Sequence, residues 1–194
     1  MSDGNGQLLL TPADPWQVPG DLPGLLDGLA RIGLTGARLT GETDSETAWS
    51  LGERFLTLVT FLGCSPFVRI EPPSPGSRAF CHVRALGPWA APRAWISRLA
   101  GAPRCPACRK RYPSVTPHFD PNLSLTCPCG RIAPLWQWDF KDRGGFGRWL
   151  LSLEDIFPNE ALPGDELMTF LANQTGSSWR FFYLPPGGGS RGLA

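Results

Sequence analysis

The sequence lacks the short motifs that mark most enzyme families. It has only two histidines, and it contains no Gly-x-Ser-x-Gly elbow, no His-Glu-x-x-His pair, no Walker sequence and no dinucleotide-binding fingerprint. These absences favour a non-enzymatic protein, although an enzyme that lacks all of them stays an open alternative.

Long apolar runs are missing as well. The longest, residues 55–64, is interrupted by Thr57, Thr60 and Gly63, and it is far shorter than the about 18 residues of a membrane helix. The first residues have no basic start and no small-residue cleavage site. We therefore expect a cytoplasmic protein with no membrane partner. In a reducing compartment, six cysteines point to metal binding, redox chemistry or burial rather than to disulfides.

Charge of either sign is scarce. Charged residues make up 18% of the chain and the formal net charge is +1, which argues against charge-driven disorder and against a tail that coats a polyanion. Lysine is rare beside arginine, while alanine, glycine and proline are frequent, as a GC-rich bacterial genome would encode. The hydrophobic content of 42% is enough for the core of one domain at this length.

Hydrophobic patterning predicts an α+β fold, a single compact domain with a small inserted module. Helices are predicted at residues 22–33, 43–63 and 163–176, the second starting at a capping box formed by Thr43 and Glu46. Strands are predicted at residues 7–10, 66–70, 78–86, 132–140 and 178–184, with 66–70 and 78–86 forming a hairpin. Residues 149–157 fit a helix or, alternatively, a strand. Residues 87–126 are predicted to be irregular and residues 143–148 to be a flexible loop.

Four cysteines form the clearest chemical signal. Cys105 and Cys108 make one pair, Cys127 and Cys129 a second, and 18 residues separate the pairs, which is typical of zinc sites. Zn²⁺ is the expected ion and iron the less favoured one. His118 lies between the pairs and is an alternative ligand for one position. Unliganded thiols and a dithiol redox pair are the competing interpretations.

Residues 105–130 resemble a zinc ribbon, or the paired cysteine turns of rubredoxin, in which the tips of two neighbouring hairpins hold one metal. The second turn here reads Cys-Pro-Cys-Gly, one residue shorter than the usual Cys-Pro-x-Cys-Gly. The zinc-ribbon-like insertion is placed at residues 103–131. The α+β core is then residues 1–102 and 132–185, and residues 186–194 are expected to be a disordered tail.

The other cysteines are expected to be buried small side chains. Cys81 and His82 are neighbours on a predicted strand, so they should point to opposite faces, which disfavours ligation of one ion by both. Cys64 follows a predicted helix C-terminus, where the helix dipole opposes a thiolate.

Basic residues cluster around the first cysteine pair. Residues 72–119 contain eight basic residues and no acidic one, a segregation that suits docking to another macromolecule. Trp136 and Trp138 alternate along a predicted strand and either line the core or form a recognition stripe. The predicted contacts with a partner are Arg104, Arg109, Lys110, Arg111, Trp136 and Trp138.

These observations predict a zinc-binding adaptor, assembly or regulatory protein that makes protein–protein contacts through a basic, metal-held hairpin. A nucleic-acid-binding zinc-ribbon protein is the first alternative. A rubredoxin-like or dithiol redox protein is the second.

Overall fold

Antiparallel strands dominate the computed structural model, which describes residues 6–39, 46–62, 68–74, 76–112 and 123–186. In chain order the strands are β1 (Gln7–Pro12), β2 (Thr35–Arg38), β3 (Glu46–Leu51), β4 (Val59–Phe61), β5 (Val83–Leu86), β6 (Arg93–Ile96), β7 (Ser124–Thr126), β8 (Ile132–Pro134), β9 (Gly144–Gly147), β10 (Leu150–Glu154), β11 (Ala161–Pro163) and β12 (Trp179–Leu184). The α-helices of the described part are α1 (Leu22–Arg31), α2 (Phe55–Leu58) and α3 (Asp165–Thr175). Two 3-10 turns span Leu135–Gln137 and Lys141–Arg143.

Within the described residues, the main sheet has six strands in the order β12-β1-β10-β5-β3-β2. Three two-stranded sheets, β4/β11, β6/β9 and β7/β8, accompany it. Strand β1 is buried on both faces. Leu8 and Leu10 face a cluster that includes residues of α1 and α3, whereas Leu9 packs with Trp95 of β6 and Phe182 of β12. The sheet is therefore covered by helices on one side and partly by β6 on the other, which confirms the α+β class as one compact domain.

The terminal elements agree with the sequence predictions. Helix α1 begins after Asp21, whose carboxylate accepts the N–H of Gly24. Helix α3 ends at Gly176, which has a φ of 66° in the left-handed region that favours glycine. Strands β1 and β12 lie where residues 7–10 and 178–184 predicted them. Residues 149–157 contain strand β10, so the alternative interpretation of that segment is confirmed.

The helix predicted over residues 43–63 is wrong in the part that the structure describes. Residues 46–61 form β3, the single-turn helix α2 and β4 instead. Strand β3 hydrogen-bonds to β2 on one side and to β5 on the other. Hydrogen bonds to β2 and β5 stabilise the extended conformation of β3. The helical spacing of the apolar residues did not predict this, because a strand, a turn and a strand that all face one core can give the same spacing. Thr43 lies outside the described residues.

The hairpin predicted for residues 66–70 and 78–86 is also wrong. Residues 68–70 have no strand structure, and β5 pairs with β3 and β10 rather than with the preceding segment. The N–H of Cys81 donates to the carbonyl of Arg69, which is a local contact rather than a strand ladder. Residues 66 and 67 lie outside the described residues.

Three further predictions fail around the second half of the chain. Residues 87–126 contain β6 and β7, and the strand predicted at residues 132–140 ends at Pro134, where a 3-10 turn begins. Residues 144–147 are the buried strand β9 rather than a flexible loop. A side chain at Gly145 would overlap the ring of Phe182, so these glycines permit close packing of the backbone. Residues 187–194 of the expected tail lie outside the described residues.

None of the helices in the described part of the chain has the length and apolar character needed to cross a membrane.

Candidate metal centre

The first cysteine pair lies on a tight turn. The N–H of Cys105 donates to the carbonyl of Lys110 over 2.9 Å, and the N–H of Arg109 donates back to the carbonyl of Cys105 over 3.0 Å. Arg109 has a φ of 62°, a left-handed conformation that lets the chain reverse within this short segment. Both thiols of the pair are thus held on one turn.

The second pair lies on a similar turn that is one residue shorter. The N–H of Cys127 donates to the carbonyl of Arg131 over 2.8 Å, and the N–H of Gly130 donates to the carbonyl of Cys127 over 2.9 Å. Gly130 takes the left-handed conformation, with a φ of 88°. The hydrogen bond that closes this turn joins residues three positions apart, Gly130 and Cys127, whereas the one in the first turn joins Arg109 and Cys105, four positions apart. The turn therefore forms even though the Cys-Pro-Cys-Gly sequence is one residue shorter.

The two turns bring all four sulfur atoms together. The Sγ atoms of Cys105, Cys108, Cys127 and Cys129 lie within 4.8 Å of one another. Across the turns, Cys105 Sγ lies 3.8 Å from Cys129 Sγ, and Cys108 Sγ lies 3.6 Å from Cys127 Sγ. A tetrahedral ion with metal–sulfur bonds of about 2.3 Å needs sulfurs about 3.8 Å apart. The four cysteines therefore form a group that could hold a metal ion, as their spacing predicted.

The sulfurs are too far apart to be disulfides, whose bond is about 2.0 Å long, and all four are free thiols. Cys105 and Cys127 are buried, Cys108 is half-buried and Cys129 is exposed. One side of the group therefore faces the protein interior and the other faces solvent.

Ionisation of the thiols is uneven. Burial opposes ionisation of Cys105, but backbone N–H groups of Cys108 and Ala107 and the facing thiols lower its pKa to about 6. The backbone N–H of Cys129 favours the Cys127 thiolate, yet burial and the neighbouring thiols outweigh it and raise the pKa of Cys127 to about 12. Cys105 and Cys127 titrate together, since a charge on one thiol hinders ionisation of the other. A bound cation would remove that hindrance by replacing the protons.

An apolar cluster packs against the buried side of the two cysteine turns. Cys105 and Cys127 pack in it with Leu125, Ala133, Leu135, Trp138, Phe140 and Phe146. The Trp138 indole N–H donates to the carbonyl of Ala133 over 3.2 Å, and Tyr112 meets the Trp138 ring edge-on at 5.3 Å between centroids. The cluster includes side chains beyond residue 131, while the division of the chain into core and insertion stays a prediction.

A backbone bridge and an ion pair anchor the first turn to the segment that follows the second. Arg104 and Asp139 exchange backbone hydrogen bonds of 2.9 and 3.0 Å. The Arg109 guanidinium lies 2.6 Å from the Asp139 carboxylate. Nothing in the sequence indicated the role of Asp139, because a single acidic residue 30 positions away carries no distinguishing pattern.

The predicted partner contacts occupy different environments. Arg109, Lys110 and Arg111 are exposed, and Arg104 is half-buried. Trp136 is half-buried, whereas Trp138 is only 2% exposed and belongs to the core. A 3-10 turn at Leu135–Gln137 removes the strand alternation on which the recognition stripe depended.

The remaining candidate residues are either buried or outside the described part. Cys81 packs in the core below the main sheet, and burial, with Asp155 and Glu154 nearby, raises the pKa of its thiol. His82 is buried and donates from Nδ1 to the carbonyl of Phe80 over 2.7 Å. Both lie just before β5. His118 and Cys64 lie outside the described residues.

Comparison of the chain with protein-family models, with curated proteins and with solved structures finds no match. The four-cysteine group and its surroundings are therefore the features of this chain that bear on its function.

Proposed function

We propose that this protein is a non-enzymatic zinc-binding adaptor, assembly or regulatory factor that docks another protein through a metal-held, basic arm. The arm is defined as residues 103–112 and 123–131, which carry the two cysteine turns. The observation that carries the proposal is the convergence of four Sγ atoms to within 4.8 Å of one another.

A structural zinc site is favoured by the set of ligands. Four thiolates are soft donors that suit zinc, and four protein ligands leave no coordination position open for a substrate. The Sγ–Sγ distances of 3.6 and 3.8 Å across the turns are close to those of a tetrahedral four-sulfur site and agree with such closed coordination. Iron would fit the same four sulfurs, which is why the metal has to be identified by measurement.

The role of the metal is to lock together two turns that the apolar cluster and the Arg104–Asp139 bridge already bring close to each other. Structural zinc binding supplies about 10–16 kcal/mol, as much as the whole stability of a typical domain. Strand β7 of the arm pairs with β8 through three residue pairs, and the first cysteine turn carries the exposed cations Arg109, Lys110 and Arg111. A bound ion would present these cations on a rigid surface, and rigidity lowers the entropic cost of docking.

Elemental analysis of the purified protein tests the metal. We expect a colourless protein with one zinc per chain. Cys105→Ser and Cys127→Ser should each lose the metal, whereas Cys81→Ala, which removes a thiol outside the group, should keep it. A coloured protein with one iron per chain would favour the rubredoxin-like alternative, and metal loss from Cys81→Ala would mean that the ligand set is wrong.

A further inference from the structure

A charged groove of about 400 Å³ lies beside the first cysteine turn. Its size falls within the range of about 300–1,000 Å³ that is usual for ligand clefts. The charged side chains that line it are Arg104, Arg111, Lys141, Arg143, Asp139 and Asp142. Four of the six are cationic, so the groove suits an anionic ligand.

The positive excess of the groove is larger than this count suggests. Asp139 already accepts from the Arg109 guanidinium and from the backbone N–H of Lys141, both over 2.6 Å, and Arg109 is not part of the lining. Among the residues that the structure describes, no carboxylate forms an ion pair with the four lining cations. Their charge is therefore available to a ligand.

Two of the arginines are held in place by the backbone. The Arg104 guanidinium donates to the carbonyl of Arg109 over 3.4 Å, and that of Arg143 donates to the carbonyl of Leu99 over 3.3 Å. Each such bond uses part of the five-donor fork and leaves other N–H groups for a carboxylate. The groove is thus partly preorganised.

We propose that this groove binds the carboxylates of an acidic peptide segment, and that it is where the partner protein docks. The inference rests on the proposed function and deepens it by naming the surface and the chemistry of the partner. Side-chain carboxylates match the planar forks of Arg104, Arg111 and Arg143 in geometry and charge.

Nucleic acid is the less suitable occupant. Proteins that bind single strands combine a long basic track with exposed aromatic rings on which bases stack. Here Trp138 is buried and Tyr112 contacts its ring edge-on. The formal net charge of +1 also gives little long-range attraction for a polyanion.

The metal group and the groove share one element. Arg104 and Arg111 flank the first cysteine turn and are linked by a backbone bridge, and Arg104 is bridged in turn to Asp139. A metal that fixes Cys105 and Cys108 therefore also fixes one wall of the groove. Peptide binding should consequently depend on the metal.

The test uses the full zinc-loaded chain and fluorescein-labelled hexaglutamate, followed by fluorescence anisotropy at low salt. Arg111→Glu should weaken binding by about tenfold or more, because it reverses a charge in the groove. Arg131→Glu is the matched control, since Arg131 is exposed near the second turn but does not line the groove. It should change the affinity by less than about twofold. Zinc content and circular dichroism verify that both variants are folded.

Other outcomes would overturn the inference. Equal weakening by both substitutions would show non-specific attraction, and tighter binding of oligothymidylate with the same sensitivity to Arg111→Glu would assign the groove to nucleic acid. If Lys110→Glu weakens hexaglutamate binding as much as Arg111→Glu while Arg131→Glu does not, docking occurs elsewhere on the arm. The proposed function would then stand and the groove would not. If hexaglutamate does not bind, the groove is not a peptide-binding site. The zinc content of the protein tests the metal site independently of this result.

Discussion

The Arg109 guanidinium and the Asp139 carboxylate lie 2.6 Å apart and join the first cysteine turn to the segment that follows the second. The arginine side chain is 62% exposed and the carboxylate 26% exposed, so water screens the pair from outside. Asp139 also accepts the N–H of Lys141, which closes a local turn. The Asp139 carboxylate therefore has two structural roles that can be separated, the ion pair with Arg109 and the hydrogen bond from the Lys141 N–H.

Substitutions of Arg109 and Asp139 should show how much each of these two roles contributes to the free energy of unfolding. Arg109→Ala and Asp139→Asn should each cost less than about 1 kcal/mol of unfolding free energy, because an exposed ion pair contributes little. Asp139→Ala should cost about 1–2 kcal/mol, since it also removes the acceptor for the Lys141 N–H. Urea unfolding of the variants, compared at equal metal content, measures this. A loss from Arg109→Ala equal to that from Asp139→Ala would contradict the explanation.

Removal of the metal should loosen the arm and leave the main sheet intact. After addition of a strong chelator, the amides of Cys105, Arg109, Cys127 and Gly130, which close the two turns, should exchange faster with solvent. The amides of β1 and β10 serve as the internal control, because their ladder does not involve the cysteines. Hydrogen-exchange mass spectrometry resolves the two regions. Unchanged exchange in the turns would argue against a structural metal.

His82 should make the protein less stable in mild acid. Burial lowers the pKa of His82 below its usual 6.5, and the charges of Arg84 and Arg78 act in the same direction. The Phe80 carbonyl and Glu154 oppose this shift but do not outweigh it. The folded state thus favours the neutral ring, so its contribution to stability is complete above the unfolded pKa of about 6.5 and is lost as pH falls towards the folded pKa.

Urea unfolding at a series of pH values from 8 to 5 provides the measurement for His82. The unfolding free energy of the wild type should fall faster below pH 6.5 than that of His82→Gln, which cannot take up a proton. Parallel pH curves for the two proteins would show that His82 does not carry this dependence.

A methyl group in β9 should be costly. Gly145→Ala would place a Cβ against the ring of Phe182 and the guanidinium of Arg180, and overpacking of this kind costs about 1–3 kcal/mol. Gly101→Ala is the matched control, because nothing lies within 4 Å of the added Cβ. Thermal unfolding of the two variants compares them, and a Gly145→Ala protein as stable as Gly101→Ala would refute the packing argument.

The sequence predicted best those features that local chemistry determines. The cysteine group follows from ligand type and spacing, and α1 and α3 follow from the helical spacing of their apolar residues. The Arg109–Asp139 pair and the charged groove were not predictable, because they depend on which distant segments meet.

The failures share one physical reason. Ala48 and Leu51 have a helical spacing but lie in a strand, since pairing with two neighbours outweighs local periodicity. Gly144, Gly145 and Gly147 resemble a flexible loop in composition, yet they form a buried strand that pairs with β6. A Cβ at Gly145 or Gly147 would overlap Phe182 or Thr11. In both cases the tertiary environment, which a local pattern does not contain, decides the structure.

The position of β1 between β10 and β12 sets the order in which this protein can be completed. Within the described residues, both hydrogen-bonding edges of β1 are paired with β10 and β12, so during synthesis β1 lacks these partners until residues 150–184 have been made. Such long-range closure is slow and exposes an apolar edge meanwhile. The cysteine turns, whose partners are close in the chain, can assemble around an ion well before that.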